Sequence, residues 1–340
     1  MKPKLTLFAV IVGVVFAVGC GQSDPESAED PAKAAYSQFR DTYLNAENRA
    51  DQVAAVEDFI TQWPDHKYAG YFAPDIVSYY ADHLDDPQRA YDIVAGVLDK
   101  AQDPEVRFWL GTTLAPVAAD LERDLDLEAL IADYESVGEL SFDQAEQILT
   151  ASAELGSWEL LDRYADSALA RSTPEAFQAE YPDNEFEEDD LQRYAVGRRV
   201  TALANKGWAA YNLGRTDEAM AIFEEADGLA EKNYVGITGT PLARFWGEAL
   251  LREGDPARAI NVISREAVFG DHDSAEPVLR EAWIVANDGV EGFEDFIETT
   301  RLELAPTIED FSLTDYEGSP VELAGLRQGK VTLLAFWFPT

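Results

Sequence analysis

From about Ala32 to Leu304 the apolar positions recur at spacings of three and four. "AAYSQFRDTYL" (34–44) and "AAVEDFITQW" (54–63) are clear examples, and this is the period of an amphipathic helix. The periodic stretches stop at turn-forming runs: "WPDHK", "LDDPQ", "AQDPE", "STPEA", "LGRTD" and "REGDP". Between these breaks most segments are long enough for several helical turns, and strand-like alternation is scarce. The pattern predicts a mainly α body over residues 32–304.

Two of the helical stretches repeat one another. "GWAAYNLGRTDEAMAIFEEA" aligns with "GEALLREGDPARAINVISRE", so that Gly207 matches Gly247, Gly214 matches Gly254 and Ala219 matches Ala259, each 40 positions on. With Phe223 and Ala226 these residues resemble the tetratricopeptide repeat, which has a small residue in its first helix, glycine at the turn and alanine in its second helix. Gly207 and Ala219 would let the two helices of a hairpin approach closely. Gly214 would take a turn conformation that other residues adopt at a cost. The interval exceeds the repeat's usual length of about 34 residues, which marks "KNYVGITGT" (232–240) as an insertion. "HLDDPQRAYDIVAGVL" and "ELGSWELLDRYADSAL" read as more divergent second helices with their turns. A solenoid of about five to seven hairpins is expected, stacked so that each buries its neighbour's apolar face. Its implied partner is a protein or peptide.

The period changes at Ala305. Phe311 and Leu313, then the turn "DYEGS", then Val321 and Leu323 predict a β-hairpin with Gly318 in the tight position. "LAGLRQGK" reads as one helical turn closed by Gly329, and the apolar run from Val331 to Phe338 as a strand covered on both faces. Residues 305–340 resemble the opening of redoxin-type thioredoxin-fold proteins, the TlpA-like thiol–disulfide oxidoreductases and their peroxiredoxin relatives. Ala305, Pro306, Phe311, Leu313, Asp315, Gly318, Val321, Leu323, Leu326, Gly329, Lys330, Leu333, Leu334, Phe336 and Trp337 carry the likeness. The resemblance implies that Phe336 and Trp337 pack beneath an active site. Pro339 and Thr340 would lead into a nucleophilic cysteine immediately after Thr340. On this reading the chain is an incomplete thioredoxin-fold segment with no catalytic residue of its own. A fragment, a frameshift or a selenocysteine codon read as a stop would each account for that, the last being the preferred expectation.

The other end carries a different signal. Lys2 and Lys4 precede "LTLFAVIVGVVFAVG", a charged and then apolar leader, and "AVGC" brings it to Cys20, the only cysteine. This resembles the lipobox of bacterial lipoproteins, departing from it at Ala17, where leucine is usual. The resemblance implies residues 1–19 as a signal peptide and Cys20 as a lipidated residue anchored in the bilayer. Residues 20–31 become a flexible tether, and Gly21 favours the outer membrane within the cell envelope.

Net charge is −39, or −41 with Lys2 and Lys4 set aside, from 24 basic and 65 acidic residues. Such a chain has no basic surface for nucleic acid or for anionic lipid. The densest run, "DNEFEEDD" (Asp183–Asp190), lacks the glycine-spaced ligands of a calcium loop and reads as a solvated acidic loop. His66, His83 and His272 stand singly, so no metal and no cofactor are expected. Nucleophile elbow, phosphate loop and zinc motif are missing from the sequence. The aromatic residues could line a binding face, but for residues such as Trp208 and Trp246 core packing between hairpins is the expected role. Together these readings predict a membrane-anchored thiol–disulfide oxidoreductase with a partner-binding repeat domain. The alternatives are a non-enzymatic repeat scaffold and, within the same fold, a peroxiredoxin-like peroxidase.

Overall fold

Four of the breaks seen in the sequence turn out to be helix starts. At Asp86, Asp103, Thr173 and Asp255 a side-chain oxygen accepts from a backbone N–H of the first helical turn, at 2.9 to 3.1 Å. A proline follows each of them, at Pro87, Pro104, Pro174 and Pro256. Its fixed φ suits the first helical position and its missing N–H is not needed there. Ser141 does the same work with Gln144 in a reciprocal capping box.

The computed structural model describes residues 31–184, 186–230, 240–269, 272–304, 312–314 and 320–322. Its helices form antiparallel pairs, here termed A and B. They are α1 (Pro31–Leu44) with α2 (Arg49–Gln62), α3 (Tyr68–Val77) with α4 (Pro87–Leu98), and α5 (Pro104–Asp120) with α6 (Leu127–Glu135). After these come α7 (Phe142–Glu154) with α8 (Trp158–Arg171), α10 (Glu188–Asn212) with α11 (Thr216–Ala230), and α12 (Leu242–Arg252) with α13 (Pro256–Phe269). The short α9 (Pro174–Glu180) is inserted before α10. A π-helical turn, Ser78–His83, prolongs α3, and α14 (His272–Asn287) follows α13 as a further A helix. α15 (Phe293–Leu304) comes last. The chain divides into two compact units, residues 1–294 and 295–340.

In the first unit each A helix from α3 to α14 packs on the next A helix, and each B helix on its own A and the following A. Close approach within a pair depends on glycine. A Cβ on Gly207 would lie 2.6 Å from the Phe223 ring, and one on Gly247 would lie 2.1 Å from Ile263 Cδ1. Ala219 and Ala259 are fully buried opposite them. Arg163–Glu128 (2.8 Å), Arg215–Asp162 (2.7 Å) and Arg258–Glu224 (2.7 Å) link successive B helices. The first and third are largely exposed and contribute about 0–1 kcal/mol each, whereas Arg215–Asp162 is partly buried.

A backbone signature marks the repeat more widely than the side chains do. Gly156, Gly214 and Gly254 end their A helices with φ of +66°, +79° and +80°. The following amide then bonds five residues back, as Arg215 N does to Ala210 O at 2.8 Å. Glu122, with φ +53°, closes α5 identically through Arg123 N to Ala118 O. Asp288 (φ +55°) closes α14, with Gly289 N donating to Ile284 O. Positions 122 and 156, and 254 and 288, are each 34 apart. Asp85 (φ +56°) closes the first of the series with one residue more, Asp86 N reaching Tyr80 O, because the π-helical turn takes up the extra residue.

The structure revises two expectations. The acidic run at 183–190 is not all loop: Glu188, Asp189 and Asp190 form the first turn of α10, where negative charge is favoured by the helix dipole. The helix bearing Gly207 also begins at Glu188, well before the aligned segment, and runs for 25 residues. Most of "KNYVGITGT" lies outside the described residues, as do Cys20, Phe336, Trp337, Pro339, Thr340 and the run 331–338. In the second unit β1 (Ser312–Thr314) pairs antiparallel with β2 (Pro320–Glu322), Leu313 opposite Val321. This is the hairpin expected from the alternation there.

Candidate functional site: the A-helix face

An A helix has its own B, the previous B and two A helices around it, which leaves one side uncovered. On α3 that side carries Tyr71, Pro74 and, through the π-helical turn, Asp82; Tyr71 is 56% exposed. On α5 it carries Trp109, Thr113, Pro116 and Asp120, and on α7 Asp143, Gln147, Thr150 and Glu154. These residues share a register: 71 to 82, 109 to 120 and 143 to 154 each span 11 positions, close to three helical turns. Asp120 and Glu154 stand two residues before their left-handed caps and Asp82 three before, the π-helical turn again accounting for the difference.

On α10 the corresponding side is shut. Thr201, Asn205 and Trp208 are buried, and Asn205 Nδ2 donates to Thr201 O at 2.9 Å. Beyond it, α12 presents Arg244 and Glu248 and α14 presents Glu281.

Burial raises the Glu154 carboxyl above its ordinary value; Asp120 and Glu248 add to the rise and Arg244 opposes it. Glu248 is likewise raised, by burial first, against the nearby cations Arg244 and Arg252 and with a further contribution from Glu281. Asp82 is raised by burial and then by Asp120. Carboxylates near helix C-termini meet the negative end of the dipole, so Asp82, Asp120 and Glu154 each sit where their charge costs stability.

The tryptophans belong to the core. Trp208 lies between α8, α10 and α12, its ring 5.0 Å from Phe245 and nearly parallel to it, with Trp158 at 6.2 Å. Trp246 is 5% exposed and stacks with Phe223. Both therefore fill space between hairpins. Arg198 organises the inserted α9: buried, it bonds Glu180 at 2.6 Å and lies 4.4 and 4.5 Å from the rings of Phe142 and Phe177.

No catalytic grouping emerges from the cavities described. A cleft of about 330 Å³ is lined by Arg107, Asp133 and Ser136 among others, but Arg107 is occupied with the carbonyls of Leu98 and Ala101, both at 3.1 Å. Among the described residues no three His, Cys, Asp or Glu side chains are grouped to hold a metal. None of the described helices is long and apolar enough to cross a membrane. The repeat glycines and alanines singled out in the sequence serve helix packing and turns. The A-face carboxylates were missed, although an acidic residue two or three positions before each break was visible in "ADHLDDP", "AADLER" and "SAELGS".

Successive antiparallel helix pairs stacked A upon A define a helical-repeat protein. The tetratricopeptide repeat family matches residues 200–233, which cover the second half of α10 and all of α11. No curated protein and no solved structure matches the chain.

Proposed function

We propose that the chain is a protein-binding scaffold of the tetratricopeptide type whose A-helix face receives a partner. The carrying observation is that this face repeats in register on α3, α5 and α7 with exposed and half-buried side chains, of which Asp143 alone is tied to the α9 insertion, through Arg198 and Tyr181. Tetratricopeptide repeats generally mediate protein–protein interactions, and the match at 200–233 supports the assignment. A library of random peptides panned on the full chain tests it. Selected peptides should lose binding to Thr150→Arg, on the A face of α7, and keep it for Ala170→Arg, on the exposed side of α8. Peptides indifferent to Thr150→Arg would overturn the reading.

The scaffold is proposed to be tethered to the cell envelope through a lipidated Cys20, on the strength of the leader sequence. Labelling with a radioactive fatty acid should mark the wild-type chain and not Cys20→Ala.

A second reading concerns residues 305–340. Their likeness to redoxin-type thiol–disulfide oxidoreductases rests on the sequence positions from Ala305 to Trp337, and the antiparallel pairing of Leu313 with Val321 is compatible with it. The scaffold would then present partners to a redox domain. Cys20 being the only cysteine, the chain as it stands holds no thiol pair. An insulin-reduction assay on the 340-residue chain should therefore read at background, and turnover above background would overturn this account.

A further inference from the structure

We infer that the A face of α3, α5 and α7 binds a left-handed polyproline-type segment carrying a lysine or arginine at every third position. This deepens the scaffold reading and rests on it.

The inference follows from matching two periods. Asp82, Asp120 and Glu154 occupy the same register on three A helices packed in sequence. Packed helices lie about 8–10 Å apart, so the face offers one carboxylate per step of that size. A polyproline helix has about three residues per turn and rises about 3.1 Å per residue, so side chains at every third position recur on one side every ~9 Å. An ordinary β-strand fails this test, because its positions i and i+3 point to opposite faces. The polyproline form also arrives already ordered, with little conformational entropy left to lose.

Charge and aromatic content agree with that occupant. Carboxylates set in a row, in a chain of net charge −39, favour a cationic partner, although Arg244 already lies close enough to act on Glu154. Asp82 and Glu154 have no salt bridge among the described residues. Three turns away, Tyr71 and Trp109 stand at the opposite end of the same face, Tyr71 more than half exposed as a residue. Aromatic rings of this kind suit proline rings and aliphatic lysine stems. The segment would cross the A helices, its cations over the carboxylate row.

The experiment uses the full chain and two fluorescent peptides of identical composition, about twelve residues of proline and lysine, at about 0.15 M salt. One carries lysine at every third position and the other has its lysines clustered at one end. The periodic peptide should bind about tenfold more tightly. Asp82→Asn and Glu154→Gln should each weaken it about threefold while leaving the clustered peptide unchanged, in line with the modest worth of partly exposed ion pairs. Equal affinities, or variants without effect, would overturn the inference and reduce the face to general electrostatic attraction. Failure of both peptides would overturn it as well. The scaffold reading then stands or falls separately, on whether panned peptides map to Thr150.

Discussion

Replacing Gly207 by alanine isolates the contact that brings α10 and α11 together. In an exposed helix the change would stabilise, since alanine exceeds glycine in helix propensity by about 1 kcal/mol. Here the new methyl would stand 2.6, 2.8 and 3.1 Å from three atoms of the Phe223 ring. Ordinary carbon contacts are about 3.5–4.0 Å, so the ring must retreat by close to 1 Å. Phe223 is fully buried and stacked with Trp246, which leaves it nowhere to go. Overpacking of this kind costs about 1–3 kcal/mol, and after the propensity gain of about 1 kcal/mol the net loss should be about 0–2 kcal/mol. Gly228, on the same pair, has nothing within 4 Å of its would-be Cβ, so Gly228→Ala should stabilise by about 0.5–1 kcal/mol. Urea unfolding followed by far-ultraviolet circular dichroism measures both. A double-mutant cycle with Phe223→Leu should recover about 1 kcal/mol of coupling, because the smaller side chain makes room. A stabilised Gly207→Ala, or additive effects in the cycle, would show that the close approach is not what constrains this position.

Three further outcomes are expected. Glu122→Gly should stabilise by about 0.5–1 kcal/mol and Gly214→Ala should destabilise by at least as much, since both residues hold a left-handed conformation that only glycine adopts freely; thermal unfolding of the two variants gives the signs. Glu154 and Glu248 have carboxyls raised in the folded state, so their ionisation opposes folding at neutral pH and the penalty fades as pH falls towards the unfolded value of 4.5. Glutamine at either position should therefore stabilise at pH 7 and lose that advantage at pH 4, which a stability–pH profile would reveal. Arg198→Ala should cost about 3 kcal/mol, because it leaves Glu180 sheltered without its cation, and limited proteolysis should then cut around residues 181–190 first.

Much of the helical body could be read from the chain directly. The proline-bearing breaks encode caps and the first helical position at once, and the glycines of the 207 and 247 hairpins encode contacts that only a missing side chain permits. What stayed hidden did so for physical reasons. Asp85, Glu122 and Asp288 adopt the conformation glycine would signal, so at these three helix ends there was no glycine to count. The inserted α9 and the early start of α10 are held by one arginine whose partners lie on two other helices, a tertiary cause that local pattern does not carry. The A-face carboxylates look, one at a time, like any acidic residue of a very acidic protein. Only the stacking of α3, α5 and α7 sets them in a row.

The widened turn at Ser78–His83 has a wider meaning for how such arrays change over time. By coiling one residue more into a looser loop of backbone, α3 accommodates a longer end while Asp82 stays beside Asp120 and α4 starts on its proline. Single insertions at the ends of A helices can thus accumulate silently, leaving architecture intact while erasing the regular stride by which kinship between repeats is measured. The stride of 34 survives from Glu122 to Gly156 and from Gly254 to Asp288 and is lost from Asp85 to Glu122 and from Gly214 to Gly254, so likeness between these repeats is better sought in backbone handedness than in letters.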